Sequence, residues 1–182
     1  MAVVKKKRWY KIIAPRTFRN QELGETLSFE PKEILGKNIR VNAMTLTNDP
    51  KKQNLRLIFK ITDVKADQAT TELLGYEVLG AHLKRMSRKG SEKIEDSFTA
   101  KTKDGAMIRV KPVLSTRSKT KNSILTALRK TTQAFVTEEV KTKSYEEFII
   151  DVLMNKTQKS VKDALKKIYP VAGCEFKKIE KA

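Results

Sequence analysis

The spacing of hydrophobic residues changes near residue 118, from alternation to a helical period of about three and a half. The alternation is clearest in LRLIFKITDV, where Leu55, Leu57 and Phe59 fall on one face. Alternation over short runs predicts strands with one buried face. The sequence therefore predicts an α+β fold in which a β-rich, barrel-like N-terminal core precedes a helical C-terminal part. We place the arm and core in residues 1–118 and the helical part, packed on the core, in residues 119–182, within one domain overall.

The N-terminal part divides into several predicted elements. RWYKIIA is the first strand, PKEILGK a short helix between Pro31 and Gly36, and NIRVNAMTLT a strand over residues 38–47. Asp104-Gly105 is a strong hairpin signal. Pro112 has no N–H to donate and indicates an edge or a bulge in the strand that follows the hairpin.

The C-terminal part contains three predicted helices. Ile124, Leu128 and Val136 mark a first helix of about twenty residues. The motif Ser144-x-x-Glu147 is typical of a capping box that begins a second helix, and the motif at Ser160 resembles one that begins a third. CEFKKIE is the predicted last strand.

The charge of the chain favours a polyanionic partner. It contains 39 Lys and Arg against 21 Asp and Glu, a formal net charge of +18. No acidic residue occurs in residues 1–21 or 105–137, whereas five crowd into residues 138–151. Such a positive field destabilises a compact chain unless an anion is bound. Nucleic acid is the leading candidate partner and an anionic membrane surface the second, with the acidic helical residues facing solvent or a basic neighbour.

Three groups of residues are predicted to bind RNA. The N-terminal group is Lys5, Lys6, Lys7, Arg8, Trp9, Lys11, Arg16 and Arg19. The middle group lies on and after a predicted helix at 81–89 and contains Lys84, Arg85, Arg88, Lys89 and Lys93. The third group lies on and after the hairpin and contains Arg109, Lys111, Arg117, Lys119 and Lys121.

Two of these groups admit plainer interpretations. In a helix at 81–89, Lys84/Arg88 and Arg85/Lys89 would be like-charged pairs, whose cost bound phosphates would remove. A solvated basic face explains the same pattern. The segment at 117–121 is equally compatible with a disordered linker. Because no aromatic-basic motif of the known RNA-binding modules occurs, phosphate and shape contacts should dominate over base reading.

Several other functions lack the residues that they need. The single His82 and the single Cys174 cannot build a Cys/His zinc site or a disulfide. The seven glycines form no phosphate loop. We expect no enzyme, cofactor, metal or small-molecule substrate. The alternatives left open are a free-standing nucleic-acid regulator and a nuclease-like enzyme that uses carboxylates and a metal. The lack of a signal peptide or membrane span and the lone cysteine favour an intracellular protein.

Six stretches of the sequence are informative together. In chain order they are KKRWYKIIAP, LGKNIRV, RLIFKITDV, TELLGYEVLGAHLKRMSRKGSEKIED, TKDGAMIRVKPV and SYEEFIIDVLMNKTQKSVKDALKKIYPV. Over nearly the whole chain they resemble the S3Ae (also eS1) family of small-subunit ribosomal proteins of archaea and eukaryotes, in its compact archaeal form. The resemblance implies a structural component of the small ribosomal subunit in cytoplasmic translation. It further implies binding to small-subunit rRNA on the platform near the mRNA exit. Neighbouring platform proteins are the implied partners, with mRNA at the exit as a further candidate.

Overall fold

The computed structural model describes residues 6–181, and the chain divides into two compact units, residues 1–75 and 76–182. Strands dominate the first unit, and the second combines strands with three long helices. A β-rich first part followed by helices confirms the predicted α+β class, while the boundary proposed at residue 118 stays a prediction. No helix in the described residues is long and apolar enough to cross a membrane.

The first unit is built on a sheet. Its strands are β1 (Arg8–Ile13), β2 (Glu22–Ser28), β3 (Asn38–Asn42), β4 (Leu55–Lys65) and β5 (Gln68–Val78), and β5 continues into the second unit. The spatial order is β2, β1, β5, β4, β3, with β1 antiparallel to β2 and parallel to β5. The core of this sheet is formed by Tyr10, Ile12, Ile34, Ile61 and Ala69.

The alternation predicted for β1 and β4 is confirmed. In β1, Tyr10 and Ile12 are buried while Trp9 is exposed. In β4, Leu57 and Phe59 are fully buried. The buried face of each strand therefore follows from the period of two in its sequence.

The strand predicted over residues 38–47 is wrong beyond Asn42. The side chain of Asn42 accepts a hydrogen bond from the Met44 N–H at 3.0 Å and begins a short helix, α1 (Ala43–Thr47). An asparagine at this position satisfies a free helical donor, which alternation of side chains cannot reveal. The short helix predicted at PKEILGK is a single 3₁₀ turn, Pro31–Glu33.

The second unit contains four further strands and four helices. The helices are α2 (Gly80–Met86), α3 (Asn122–Thr142), α4 (Tyr145–Leu153) and α5 (Lys156–Lys166). The strands are β6 (Lys93–Glu95), β7 (Phe98–Lys101), β8 (Met107–Thr116) and β9 (Val171–Lys181). β8 is antiparallel to β6, β7 and β9, and α5 packs on β9.

The hairpin and the bulge are confirmed. The β7–β8 turn is closed by a hydrogen bond from the Gly105 N–H to the Thr102 carbonyl at 3.0 Å, and Gly105 has φ +80°. The register of β8 against β9 shifts between Lys111 and Pro112. Pro112 thus lies at a bulge in a strand paired on both sides, because a bulge tolerates the missing donor there.

The helices agree with two of the three predicted starts. α3 has 21 residues, and Ser144 and Glu147 form the capping box of α4. The third predicted start at Ser160 is wrong, because α5 begins at Lys156 and Ser160 lies inside it. The buried Gln158 donates from Nε2 to the Val152 carbonyl at 2.9 Å, which ties the first turn of α5 to the end of α4. This contact between helices is not encoded in a local capping motif.

Candidate nucleic-acid interface

A groove of about 430 Å³ opens in the second unit beside the ends of α2 and β8 and the start of β9. We call it the basic groove; its lining residues are Arg85, Met86, Arg88, Lys89, Gly90, Ser91, Ser115, Thr116, Arg117, Ala172 and Gly173. Four of the predicted RNA-binding cations therefore meet in one place, although two stretches of sequence supply them. No carboxylate is among these lining residues.

The first wall is set by where α2 ends, which differs from the sequence prediction. The helix stops at Met86 rather than at residue 89, and Ser87 is extended with φ −91° and ψ 101°. The like-charged helical pairs expected at i, i+4 therefore do not form. Instead the Ser91 hydroxyl donates to the Arg88 carbonyl at 2.7 Å, and Gly90 has φ +92°. This turn carries Arg88 and Lys89 to the groove.

The second wall is held by backbone hydrogen bonds around Thr116. The Glu92 N–H donates to the Thr116 hydroxyl at 2.8 Å, and the Thr116 N–H donates to the Glu92 carbonyl at 2.9 Å. The Arg117 N–H donates to the Pro170 carbonyl at 3.2 Å. The backbone of Arg117 is therefore anchored before any ligand binds, and its exposed side chain extends from that fixed point.

The close approach of α2 to β9 depends on a glycine. A Cβ added at Gly173 would lie 2.9 Å from the Met86 sulfur. A side chain at position 173 would therefore force the Met86 side chain to move.

The groove has an uncompensated positive charge. In the part of the chain that the structure describes, Arg88, Lys89 and Arg117 have no carboxylate within 4.0 Å. The hydroxyls of Ser91 and Thr116 are already used in hydrogen bonds that build the walls. Arg88, Lys89 and Arg117 are thus available to an anionic ligand, and arginine matches phosphate with two parallel N–H donors.

The other predicted cations of the second unit lie outside the groove lining. Lys84 is exposed on α2, and Lys119 and Lys121 are exposed between β8 and α3. Lys93 pairs with Glu95, and Lys111 pairs with Glu180 at 3.8 Å. Arg109 faces Glu180 across the β8–β9 ladder. Their contact with RNA stays a prediction, and the neighbouring acids reduce the charge that Lys93, Arg109 and Lys111 offer.

The N-terminal cations form a separate basic surface in the first unit. Lys5 lies outside the described residues; the exposed members are Lys6, Lys7, Arg8, Lys11, Arg16 and Arg19. Lys11 pairs with Glu22 at 3.6 Å, and the Lys7 ammonium lies 5.1 Å from the centre of the Phe29 ring. Trp9 is exposed as well, whereas its neighbour Tyr10 is buried in the core.

Three exposed cations that the sequence analysis did not assign to the site lie together in the first unit. Arg40 on β3 and Arg56 and Lys60 on β4 share one face, because Ile58 lies opposite Arg40 in the antiparallel register. The alternation of β4 contained this signal, since Arg56 and Lys60 are two residues either side of Ile58.

The acidic residues of the helical part do not form the simple acidic face that was expected. The Lys143 ammonium lies 2.5 Å from Glu139 and 2.7 Å from Asp151. The Thr157 hydroxyl donates to Glu139 at 3.1 Å, and Glu147 is used in the capping box. These acids therefore stabilise the packing of α3, α4 and α5.

The charges in this cluster support one another. Burial disfavours the charged form of Lys143, but its bonds to Asp151 and Glu139 outweigh burial and raise its pKa. The hydrogen bond from Lys143 lowers the pKa of Asp151. The stabilisation from Asp151 is present above its ordinary pKa of 3.8 and is lost as the pH falls through its lowered value. The stabilisation from Lys143 is present below the ordinary lysine pKa of 10.5 and is lost as the pH rises through its raised pKa.

Replacing Lys143 with Met is expected to lower the free energy of unfolding by about 1–3 kcal/mol at pH 7. This loss is smaller than that from breaking a fully buried ion pair, because Lys143 and its two acidic partners are partly exposed. The Oε2 atom of Glu139 is buried without a hydrogen-bond partner, so this carboxylate depends on the lysine. Urea denaturation at several pH values measures the effect, which should shrink below about pH 4 as Asp151 gains its proton, first in the unfolded chain.

Lys141→Met removes an exposed lysine two residues away and serves as the control, with an expected change within about 0.5 kcal/mol. A loss of stability in Lys143→Met that did not change with pH would contradict an electrostatic role.

The remaining candidates for chemistry are embedded in the fold. Burial raises the pKa of the Cys174 thiol to about 12, so it is not a thiolate at neutral pH. His82 is half-buried on α2. Across residues 6–181, no group of three or more His, Cys, Asp or Glu side chains is placed to hold a metal ion.

Comparison with known proteins gives a consistent result. The model of the Ribosomal S3Ae family matches residues 2–182. The small ribosomal subunit protein eS1 of Halorubrum lacusprofundi is 36% identical over 173 residues, which cover 95% of this chain and 80% of the relative. That of Nanoarchaeum equitans is 36% identical over 166 residues, covering 91% and 84%. That of Archaeoglobus fulgidus is 33% identical over 176 residues, covering 96% and 83%.

Proposed function

The chain belongs to the Ribosomal S3Ae family of small-subunit structural proteins, which are not enzymes, and we propose that it binds small-subunit rRNA mainly through phosphates. Within the subunit we place it on the platform near the mRNA exit. Its partners are then rRNA and neighbouring platform proteins, with mRNA as a further candidate, and its site of action is the cytoplasm.

The observation that carries the rRNA proposal is the basic groove. Arg85, Arg88, Lys89 and Arg117 surround it without a lining carboxylate, although the chain contains 21 acidic residues. Concentrating cations in this way costs stability unless an anion is bound. A phosphate backbone supplies several anions at regular spacing and releases counterions when it is neutralised.

The two units each have a basic surface. The first unit has its N-terminal cations and the Arg40, Arg56 and Lys60 face, and the second has the groove. A small anion would need one such site, whereas a folded RNA with many phosphates can contact several. This distribution supports a polyanion as the partner.

The affinity for a small-subunit rRNA fragment is expected to fall steeply with salt, with log K decreasing by about 0.7–0.9 per unit of log salt concentration for each phosphate contact. With the four groove cations engaged, the slope should reach about −3 or steeper. Fluorescence anisotropy of labelled RNA over a range of KCl concentrations measures this slope.

An unrelated structured RNA of the same length is the control. Its salt slope should be nearly the same, since phosphate contacts carry little sequence information. Its affinity should be lower than that of the rRNA fragment. A slope near zero for the rRNA fragment would overturn the proposal. Sedimentation of a lysate through a sucrose gradient at low magnesium tests assembly, and a slow free peak without chain in the small-subunit fractions would count against it.

A further inference from the structure

The outer face of the β1–β2 ribbon exposes three large apolar side chains. Trp9 is 61% exposed, Leu27 is 41% exposed and Phe29 is 43% exposed. Trp9 lies directly opposite Leu27 in the antiparallel register, so the two share a face. Lys7 lies two residues before Trp9, and Phe29 lies two residues after Leu27. The Lys7 ammonium is 5.1 Å from the centre of the Phe29 ring, so Lys7 and Phe29 lie beside Trp9 and Leu27.

These side chains are not needed for the core of the first unit. Tyr10 and Ile12, which alternate with Trp9 along β1, fill the buried face. Leu27 alternates in the same way with Ser28, which is buried. Exposing Trp9, Leu27 and Phe29 on one face of the ribbon is unfavourable in water, and a patch of this kind is typical of an interaction site.

The charges around the patch indicate what covers it. Lys7 and Arg8 lie at one end, and residues 1–21 contain no acid. The Glu33 carboxylate at that end accepts hydrogen bonds from the hydroxyl of the buried Ser28 and, at 3.3 Å, from the Phe29 N–H. At the other end Lys11 is opposite Glu25 and pairs with Glu22 at 3.6 Å. An anionic chain would therefore cross the ribbon at the end with Lys7 and Trp9, where the Glu33 carboxylate is already hydrogen-bonded, and avoid the end with Glu22 and Glu25.

We propose that Trp9 and Phe29 form a stacking platform for unpaired bases of RNA, with Lys7, which shares the face of Trp9, contacting an adjoining phosphate. This inference rests on the proposed function and adds a contact class that the basic groove does not supply. Every base has a π face, so stacking tolerates any sequence and needs no base-reading motif. Bases in a duplex are stacked on each other and cannot use the platform, which makes the ligand single-stranded loops, bulges or ends.

The chain contains a single tryptophan, so its intrinsic fluorescence reports on Trp9 alone. Titrating the full chain with oligouridine or with the rRNA fragment is expected to quench this emission. Inorganic polyphosphate, which has the charges but no bases, should bind without a comparable quench. Equal quenching by polyphosphate would overturn the inference, as would no quenching by a bound RNA.

A matched pair of variants separates the ring from its apolar area. Trp9→Leu should weaken binding of single-stranded RNA by about 5- to 100-fold, whereas Trp9→Phe should retain most of the affinity. Neither should change the salt slope, because stacking releases no counterions. Circular dichroism checks that both variants fold.

The outcomes distinguish this inference from the proposed function. If Trp9→Leu binds the rRNA fragment with full affinity and a steep salt slope, the proposal of rRNA binding stands and the stacking platform is overturned. A blue shift of the emission that grows with protein concentration in the absence of RNA would assign the patch to a second copy of the chain and also overturn the platform.

Discussion

Replacing Arg85, Arg88, Lys89 and Arg117 together with glutamine is expected to weaken rRNA binding by about 10²- to 10³-fold near 0.1 M salt. Each phosphate contact that is lost removes about 0.7–0.9 from the salt slope, so the slope should become shallower by about 2–4. Glutamine removes the charge and keeps a polar side chain that can form hydrogen bonds, although it is shorter than arginine or lysine. The fold should persist, because the groove walls are built by the backbone and by Ser91 and Thr116.

The control must change the net charge equally without touching the groove. Four exposed lysines of the helical part meet this requirement and can be replaced with glutamine in one variant: Lys141, Lys159, Lys166 and Lys167. This variant should retain affinity within about threefold, since none of the four lysines lines the groove and exposed charges away from a bound phosphate are screened by salt. Equal losses in the two variants would mean that total charge, and not the groove, attracts the RNA.

The second large effect concerns stability, and Phe176→Ala is expected to lower the free energy of unfolding by about 3–5 kcal/mol. Phe176 on β9 is fully buried, and its ring meets that of Phe148 edge to face at a centroid distance of 6.3 Å. The loss combines the transfer of the ring to water with the cavity that it leaves. Since whole domains are stable by about 5–15 kcal/mol, the variant should unfold at much lower urea concentration.

Two further variants show whether the effect comes from burial. Phe176→Leu keeps most of the volume and should lose less than Phe176→Ala. Phe29→Ala removes the same ring from the exposed patch and should lower stability by only about 1 kcal/mol, since Phe29 is already 43% exposed. Similar losses in Phe29→Ala and Phe176→Ala would contradict the burial pattern.

The strands were predictable where periodicity and turn chemistry agreed. The first strand, the long strand at LRLIFKITDV and the hairpin at Asp104-Gly105 each combined both signals. The errors lie at element ends. The cap at Asn42, the early end of α2 at Met86 and the early start of α5 depend on single side-chain bonds or on neighbouring elements. A local pattern does not contain that information.

The candidate site was predictable as a set of residues but not as a shape. The clustering of cations along the sequence was enough to indicate Arg85, Arg88, Lys89 and Arg117. That these four surround one groove depends on the register of β8 with β9, which pairs segments more than fifty residues apart. The acidic helical residues show the opposite error, since charge alone could not reveal that Lys143 links Glu139 to Asp151.

The pairing of β9 with β8 also affects when the protein can act during its synthesis. β9 is the last strand of the described chain, and its first residues, including Ala172 and Gly173, line the basic groove. A ribosome that is making this chain has therefore released α2, β8 and all three long helices before the groove can close. Pairing of distant segments is slow to form, so RNA capture through this site is delayed until translation has passed β9. A nascent chain halted earlier would present its N-terminal cations to RNA but not its groove.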